Sequence, residues 1–210
     1  MIQLSIIIPA YITSAKGADD LSRLVEKAAR QIDPDLHEII VVDDHSPVVF
    51  GILCRRNVGE YRLEKNRGAA AARNFGIDHS SGKYIVFLDA DDDIPDDFIA
   101  ILNNRIDFEE RSGAPVDIVQ FQAKHEDGNV AYPEPCAWGK LILRKWIGND
   151  RFDEDQLIGE EDTLFHNPKK KTPRIAKDGR IIYYHRQSAN PDSLMKRFWR
   201  GEIPRRREDV

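Results

Sequence analysis

The stretch that most constrains the fold runs from Lys83 to Asp97, where the unbroken apolar run Tyr84-Ile85-Val86-Phe87-Leu88 stops at Asp89-Ala90-Asp91-Asp92-Asp93. Five consecutive apolar residues, mostly aromatic or β-branched, predict a strand covered on both faces, as in the middle of a parallel sheet. Six aspartates fall between Asp89 and Asp97. Two carboxylates about 4 Å apart repel by roughly 4 kcal/mol at an effective dielectric near 20, so positive charge is expected beside them. Pro95, Asp96 and Asp97 read as the start of a helix, with proline at its first position and acids against the dipole. Phe98, Ile101, Leu102, Arg105 and Ile106 continue it towards Gly113. Helix chemistry leaves Asp89, Asp91, Asp92 and Asp93 unexplained. They are either an ordinary solvated turn or, with no His or Cys beside them, ligands of a hard cation such as Mg²⁺ or Mn²⁺ shared with substrate phosphates. The carboxyl end of a buried strand is where open α/β sheets bind ligands.

The preceding chain repeats this pattern. Leu4 to Ile8 reads as a buried strand ending at Pro9-Ala10-Tyr11, and Leu21, Leu24, Val25, Ala28 and Ile32 recur at helical spacing before Pro34. Glu38 to Val42 is a further buried strand and ends in Asp43-Asp44-His45-Ser46. Glu60 to Glu64 predicts a short strand, and Asn66-Arg67-Gly68 opens an alanine-rich helix through Arg73, Asn74 and Phe75. Alternating strands and helices imply an α/β fold with a mostly parallel sheet and right-handed crossovers. Pro9 to Tyr11, Asp43-Asp44 and Asp89 to Asp92 then meet along one edge. After Gly113 the rhythm changes. Val116 to Gln122 reads as a strand, Trp138 to Ile147 as a helix, Gly159 to His166 as a short helix, and Arg174 to Tyr184 as strand material around an Asp178-Gly179 turn. This half is expected to fold over the sheet edge and complete a cleft. The organisation is thus residues 1–113 as one α/β half, 114–192 as the other half of the same domain, and 193–210 as a basic, aromatic tail.

The 31 basic and 36 acidic residues leave a net charge of −5, which argues against nucleic acid as a partner. Basic residues crowd only the C-terminus, where Lys196-Arg197, Arg200 and Arg205-Arg206-Arg207 interleave with Phe198, Trp199 and Ile203. That segment is either a solvated terminal helix or a membrane-surface contact. Cys54 and Cys136 lie far apart in no metal-type spacing, and no apolar run approaches the roughly 20 residues of a spanning helix. A soluble protein with free thiols in a reducing cytoplasm is expected, with the tail as a possible contact to the inner membrane surface.

In order along the chain stand Ser5-Ile6-Ile7-Ile8-Pro9-Ala10-Tyr11, Val41-Val42-Asp43-Asp44-His45-Ser46 and Asn66-Arg67-Gly68 with Ala72-Arg73-Asn74-Phe75-Gly76-Ile77. Phe87-Leu88-Asp89-Ala90-Asp91-Asp92 and Gly159-Glu160-Glu161-Asp162 follow. This succession closely resembles a family 2 glycosyltransferase of the GT-A fold, from about Ile2 to Tyr184. The resemblance implies transfer of a sugar from a nucleotide diphosphate donor, with uridine favoured, to a hydroxyl of a glycan or lipid-linked acceptor with inversion. It further implies Asp44, with Asp43 beside it, as acceptor for a base N–H; Asp43 alternatively forms a turn with Ser46. Pro9, Ala10 and Tyr11 would wall the base. Asp89 resembles the ribose-contacting acid, with Ala90 beside it, and Asp91 the ligand for Mn²⁺ or Mg²⁺, with Asp92 competing. Arg67, Gly68 and Arg73 lie in the nucleotide segment, where Arg73 either contacts donor or pairs with the aspartates. Asp162 matches the general base that inversion requires. His185 resembles a C-terminal metal ligand. Trp138 and Lys140 lie where the cleft is lined, Trp138 being either a sugar-stacking face or core, and Arg186 to Ser193 would form a lid. The remaining histidines show no paired spacing.

The chain departs from the fuller family pattern in carrying no long acceptor domain after Asp192, so the resemblance says least about the acceptor. Two other classes share some of these features. A nucleotidyltransferase would favour a glycine-rich, lysine-containing phosphate loop after the first strand, for which Ser14-Ala15-Lys16-Gly17 is a poor match. A silent nucleotide-sugar-binding subunit would tolerate loss of Asp91 or Asp162, and both are present.

Overall fold

In chain order the elements are β1 (Leu4–Ala10), α1 (Ala15–Ala29), β2 (His37–Asp43), β3 (Val58–Arg62), α2 (Ala69–Asp78), β4 (Tyr84–Phe87) and α3 (Phe98–Arg111). They continue with β5 (Ile118–His125), β6 (Val130–Ala131), β7 (Lys140–Leu143), α4 (Arg144–Ile147) and β8 (Ile175–His185). The computed structural model describes residues 1–52, 56–134, 136–156, 164–165, 171–186 and 200–202.

The strands form one sheet in the order β3-β2-β1-β4-β7-β5-β6, with β8 also paired to β5. The first four are parallel neighbours: Ile6 stands beside Ile39 on one side and Val86 on the other, and Val41 beside Glu60. β7 runs antiparallel to both β4 and β5, which restores β5 and its parallel partner β8 to the common direction. The carboxyl ends of β1, β2, β4, β5 and β8 therefore share one edge.

Alternation along the buried strands divides the core in two. Ile6, Ile8, Val41 and Val86 face α1 and α3 and pack with Leu21, Leu24, Phe98 and Leu102. Ile7, Ile85 and Phe87 face the other way, onto Ala70 and Ile77 of α2 and onto Phe152. Helices thus cover both faces, which is why these strands read as continuous apolar runs. Gly82, at the entry to β4, touches the neighbouring chain directly. A Cβ there would lie 2.5 Å from the Ser5 nitrogen and 2.7 Å from the Leu4 carbonyl carbon.

Several expectations need correction. The predicted helix from Trp138 to Ile147 is strand β7 over Lys140–Leu143, and only Arg144–Ile147 is helical. Its four strand residues are all buried, and so short an apolar run does not separate strand from buried helix by periodicity. Asp178-Gly179 is no hairpin turn. β8 passes through it as one strand with a shift of register against β5 near Phe121 and Gln122. α3 is capped at Asp97, so Pro95 precedes the helix, and its carbonyl accepts from Phe98 N at 3.3 Å. The described part of the second half extends the sheet itself through β7, β5 and β8. Of the predicted helix at 159–166 only Leu164 and Phe165 are described, and both are helical and buried; the rest of it, the lid beyond Arg186, most of the tail and Cys54 lie outside the described residues. Among the described residues no helix is long and apolar enough to cross a membrane.

Candidate functional site

Both aspartates at the tip of β2 are buried, and each has a definite task. Asp43 Oδ1 accepts from Ser46 N at 2.8 Å and Oδ2 pairs with Arg62 of β3, while Arg62 also donates to Ser46 O at 2.9 Å. Of its two alternatives, Asp43 takes the turn with Ser46. Asp44 Oδ1 accepts from Arg67 N at 2.7 Å and Oδ2 from Gly68 N at 2.6 Å, while Asp44 N donates to Ala10 O at 2.8 Å. One aspartate thus joins the end of β1, the end of β2 and the loop that opens α2. Gly68 has φ of +89°, a conformation glycine adopts at little cost. Pro9 and Ala10 are buried at the end of β1, and Tyr11, 51% exposed, stands at the rim.

At the tip of β4 the chain reverses in a turn in which Asp92 N donates to Asp89 O at 3.2 Å. The expected positive charge is present. Arg73, itself buried, lies 3.1 Å from Asp89, and its guanidinium sits over the Phe152 ring at 5.7 Å. Lys27 of α1 lies 3.5 Å from Asp93 and 3.2 Å from Asp96, and Arg186 lies 2.6 Å from Asp93. Asp92 turns inward: it accepts from the Tyr183 hydroxyl on Oδ2 and from Arg186 N at 2.7 Å on Oδ1. With both oxygens engaged and only 3% of the residue exposed, Asp92 anchors the loop, and this corrects its reading as a competing cation ligand. Burial, then Asp89, push its pKa up to about 8, against the hydrogen bonds from Tyr183 and Arg186.

Asp91 differs from its neighbours. It is exposed at the tip of the turn, and among the described residues it has neither an ion pair nor a side-chain hydrogen bond. Desolvation within the crowded loop, then Asp89 and Asp20, raise its pKa against the pull of Lys16. The part of this shift that comes from Asp89 and Asp20 also favours a cation there. Among the described residues, no three His, Cys, Asp or Glu side chains form a ready metal cage. A cation at Asp91 would therefore take its remaining ligands from water or from a substrate's phosphates, the usual arrangement for Mg²⁺.

Beside this loop lies an aromatic stack. Trp138 is 7% exposed and stacks on Tyr183 with centroids 4.4 Å apart and on His185 at 5.3 Å, which places it in the core. His185 Nδ1 meets His125 Nδ1 at 3.2 Å, a pairing created by the register of β5 on β8 and invisible as sequence spacing. Burial and then His125 lower the His185 pKa, which keeps the imidazole neutral at neutral pH. Lys140 Nζ donates to Pro133 O at 2.6 Å and to Cys136 O, and so secures the loop before β7.

A second link crosses the sheet edge. Asn74 Nδ2 donates to Phe152 O at 3.0 Å and to Glu154 Oε1 at 3.0 Å, and Asn74 Oδ1 accepts from Phe152 N at 2.9 Å. Glu154 also pairs with Arg67. Phe152 to Glu154 are thereby fixed to α2 and the loop that opens it. Asp162 itself lies outside the described residues. Sequence reasoning assigned no role to Asn74, His125, Glu154 or Tyr183, whose partners lie across the fold rather than along the chain.

The model of the family described as glycosyl transferase family 2 matches residues 5–160. The chain is 24% identical over 216 residues to the minor teichoic acid biosynthesis protein GgaB of Bacillus subtilis, covering 89% of this chain and 23% of that protein. It is 30% identical over 129 residues to the succinoglycan biosynthesis protein ExoO of Rhizobium meliloti, covering 60% of this chain and 35% of that protein. It is also 29% identical over 109 residues to the glycosyltransferase GlyA of Streptococcus pneumoniae, covering 50% of this chain and 15% of that protein. The chain thus spans well under half the length of these relatives. Staphylococcus aureus TarS 1–349, solved in complex with UDP-GlcNAc, matches with a TM-score of 0.70 and 17% identity, over 92% of this chain and 61% of that one. At that identity the likeness is one of fold: a GT-A type α/β architecture.

Proposed function

Because the chain belongs to glycosyl transferase family 2, we propose that it moves a sugar from a nucleotide diphosphate donor to a hydroxyl, with inversion at the anomeric carbon. The carrying observation is Asp91, an acid without an ion pair among the described residues, at the carboxyl end of β4 in a sheet whose other strand tips converge there. A uridine diphosphate sugar is the favoured donor. The solved TarS complex with UDP-GlcNAc supports that choice, as do relatives named for teichoic acid and succinoglycan biosynthesis for a glycan or lipid-linked acceptor.

In this reading Tyr11 and the buried Pro9 and Ala10 wall the base, and the loop held by Asp44 presents Arg67 and Gly68 to the donor. Asp89, fixed by Arg73, receives the ribose. Asp91 would hold Mn²⁺ or Mg²⁺, and His185, kept neutral by burial, has the protonation state a ligand needs. Such an ion, when bound, supplies neutralisation of the charge on the departing diphosphate. Asp162 takes the proton of the acceptor hydroxyl, an assignment that rests on its place in Gly159-Glu160-Glu161-Asp162. The basic tail would hold the enzyme at the cytoplasmic membrane surface near a lipid-linked acceptor.

The test is a calorimetric titration of the full chain with a panel of nucleotides and nucleotide sugars, in Mn²⁺ and then in EDTA. Metal-dependent binding of one nucleoside diphosphate and its sugar is expected. Absence of binding to every member of the panel would overturn the donor assignment.

A further inference from the structure

The turn from Asp89 to Asp92 is closed by its own backbone hydrogen bond, Asp92 N to Asp89 O at 3.2 Å, which leaves Ala90 and Asp91 at the tip. Both ends of that turn are held by a single atom. Tyr183 Oη accepts from Asp89 N at 3.1 Å and donates to Asp92 Oδ2. The tyrosine is fully buried, its ring stacks at 8° on Trp138, and it comes from β8, almost at the far end of the described chain. The next residues add to the hold: Tyr184 exchanges backbone hydrogen bonds with Asp93 at 2.8 and 3.1 Å, and Arg186 N reaches Asp92 at 2.7 Å. A turn gripped at its first and fourth residues can present its third in few directions. The third residue is Asp91.

We propose that Tyr183 is the positioning residue of the acidic turn, setting the geometry in which Asp91 meets the cation of the donor complex. The inference rests on the metal-dependent donor reading above. Tyr183 touches neither the donor nor the cation; it acts through the two residues that flank the tip. A site of this kind loses affinity when its supporting hydrogen bonds are removed although every ligand remains.

The experiment compares wild type with Tyr183→Phe, which keeps the ring on Trp138 and removes only the hydroxyl. Calorimetry with UDP, in Mn²⁺ and in EDTA at a temperature well below either unfolding midpoint, separates metal-dependent from metal-independent binding. The expected result is a loss of about tenfold in UDP affinity in Mn²⁺, with affinity in EDTA unchanged. A variant within about twofold of wild type in Mn²⁺, whatever its melting temperature, reduces Tyr183 to a packing residue and overturns the inference. Tyr183→Phe leaves the buried Asp92 carboxyl short of a partner, so the double variant Tyr183→Phe with Asp92→Asn guards against misfolding by removing the acid while the Asn oxygen still accepts from Arg186 N. It should show the same loss, and retained affinity counts against the proposal. Tyr184→Phe is the control, because the bonds of Tyr184 to Asp93 are backbone ones; it should stay within about threefold of wild type, and a tenfold loss there would make the effect a general one of β8 and overturn the positioning account. A wild type that binds UDP equally well in EDTA would remove the underlying reading itself, and the inference with it.

Discussion

The two halves of the sheet are built on different rules. From β1 to β4 the strands are parallel, and β1, β2 and β4 are buried on both faces, so each of these three announces itself as an apolar run, while β3 is a more exposed edge strand. From β5 to β8 the strands vary from two to eleven residues and mix antiparallel with parallel pairing, and β8 carries a register shift. The first half supplies the acids at the strand tips and holds Asp43, Asp44 and Asp89 from within, whereas the turn at Asp92 is held from the second half by Tyr183 and the Arg186 backbone, with Trp138 stacked behind. Presenting charge takes only a strand tip, whereas fixing its direction takes contacts from residues distant in sequence.

The largest effect expected divides the halves by function. Asp162→Asn should lower sugar transfer by at least about a hundredfold with donor affinity unchanged, and single-turnover assays beside donor titrations check it. Equal turnover in the variant would leave the second half a scaffold only. Asp91→Ala acts on the other side of the comparison. It should weaken UDP binding in Mn²⁺ by more than tenfold while binding in EDTA stays as in wild type, since a lost metal ligand costs at least as much as a lost supporting contact. Calorimetry that finds no difference would move the cation elsewhere.

A third change tests whether the first half is as tightly packed as its buried runs imply. Gly82→Ala places a Cβ against the Ser5 nitrogen and Leu4 carbonyl carbon, atoms of backbone that cannot rotate away. A loss of about 1 to 3 kcal/mol in a urea titration is expected. The smallest effect concerns His37, buried in the first half, where Nδ1 accepts from Asp33 N at 2.9 Å and Nε2 lies 2.9 Å from Asn103 Oδ1. Burial lowers its pKa below the ordinary value of 6.5. The unfolded chain then binds the proton more readily, so stability from this group is full above pH 6.5 and declines as pH falls through the folded pKa. Replacing His37 by Gln should flatten the dependence of the melting temperature between pH 7 and 5. An unchanged slope would assign it to His185, which is shifted the same way.

The same contrast governs how much could be read in advance. β1, β2 and β4 were legible because continuous burial writes a continuous apolar run, and α1 because Leu21, Leu24, Val25 and Ala28 recur on one face. β7 was not, because Lys140-Leu141-Ile142-Leu143 is too short to show a period and passes directly into a helical turn. At the site, the succession of acids and the counter-charge they need were both visible. The division of labour among those acids was not. That Asp92 points inward while Asp91 points outward is decided by Tyr183, and that Asp43 serves a turn is decided by Arg62 on the next strand. The sequence shows which charges are gathered, while the partners that orient them come from the topology.

One consequence of β7 concerns the order of assembly. β4 has no contact in the sheet with β5; the four residues of β7 lie between them, and Tyr84, beside Leu4 on its inner side, finds its outer partner at Leu143. Roughly 60 residues must therefore leave the ribosome after β4 before its outer edge can be sealed, a loop whose closure is slow compared with the local crossovers of the parallel half. During that interval the nascent chain exposes one short apolar strand edge with unpaired backbone amides, a form prone to pair with another chain. The acids at the tip of β4 lie beside that open edge, and like-charge repulsion between chains gives the half-made sheet some protection until β7 arrives.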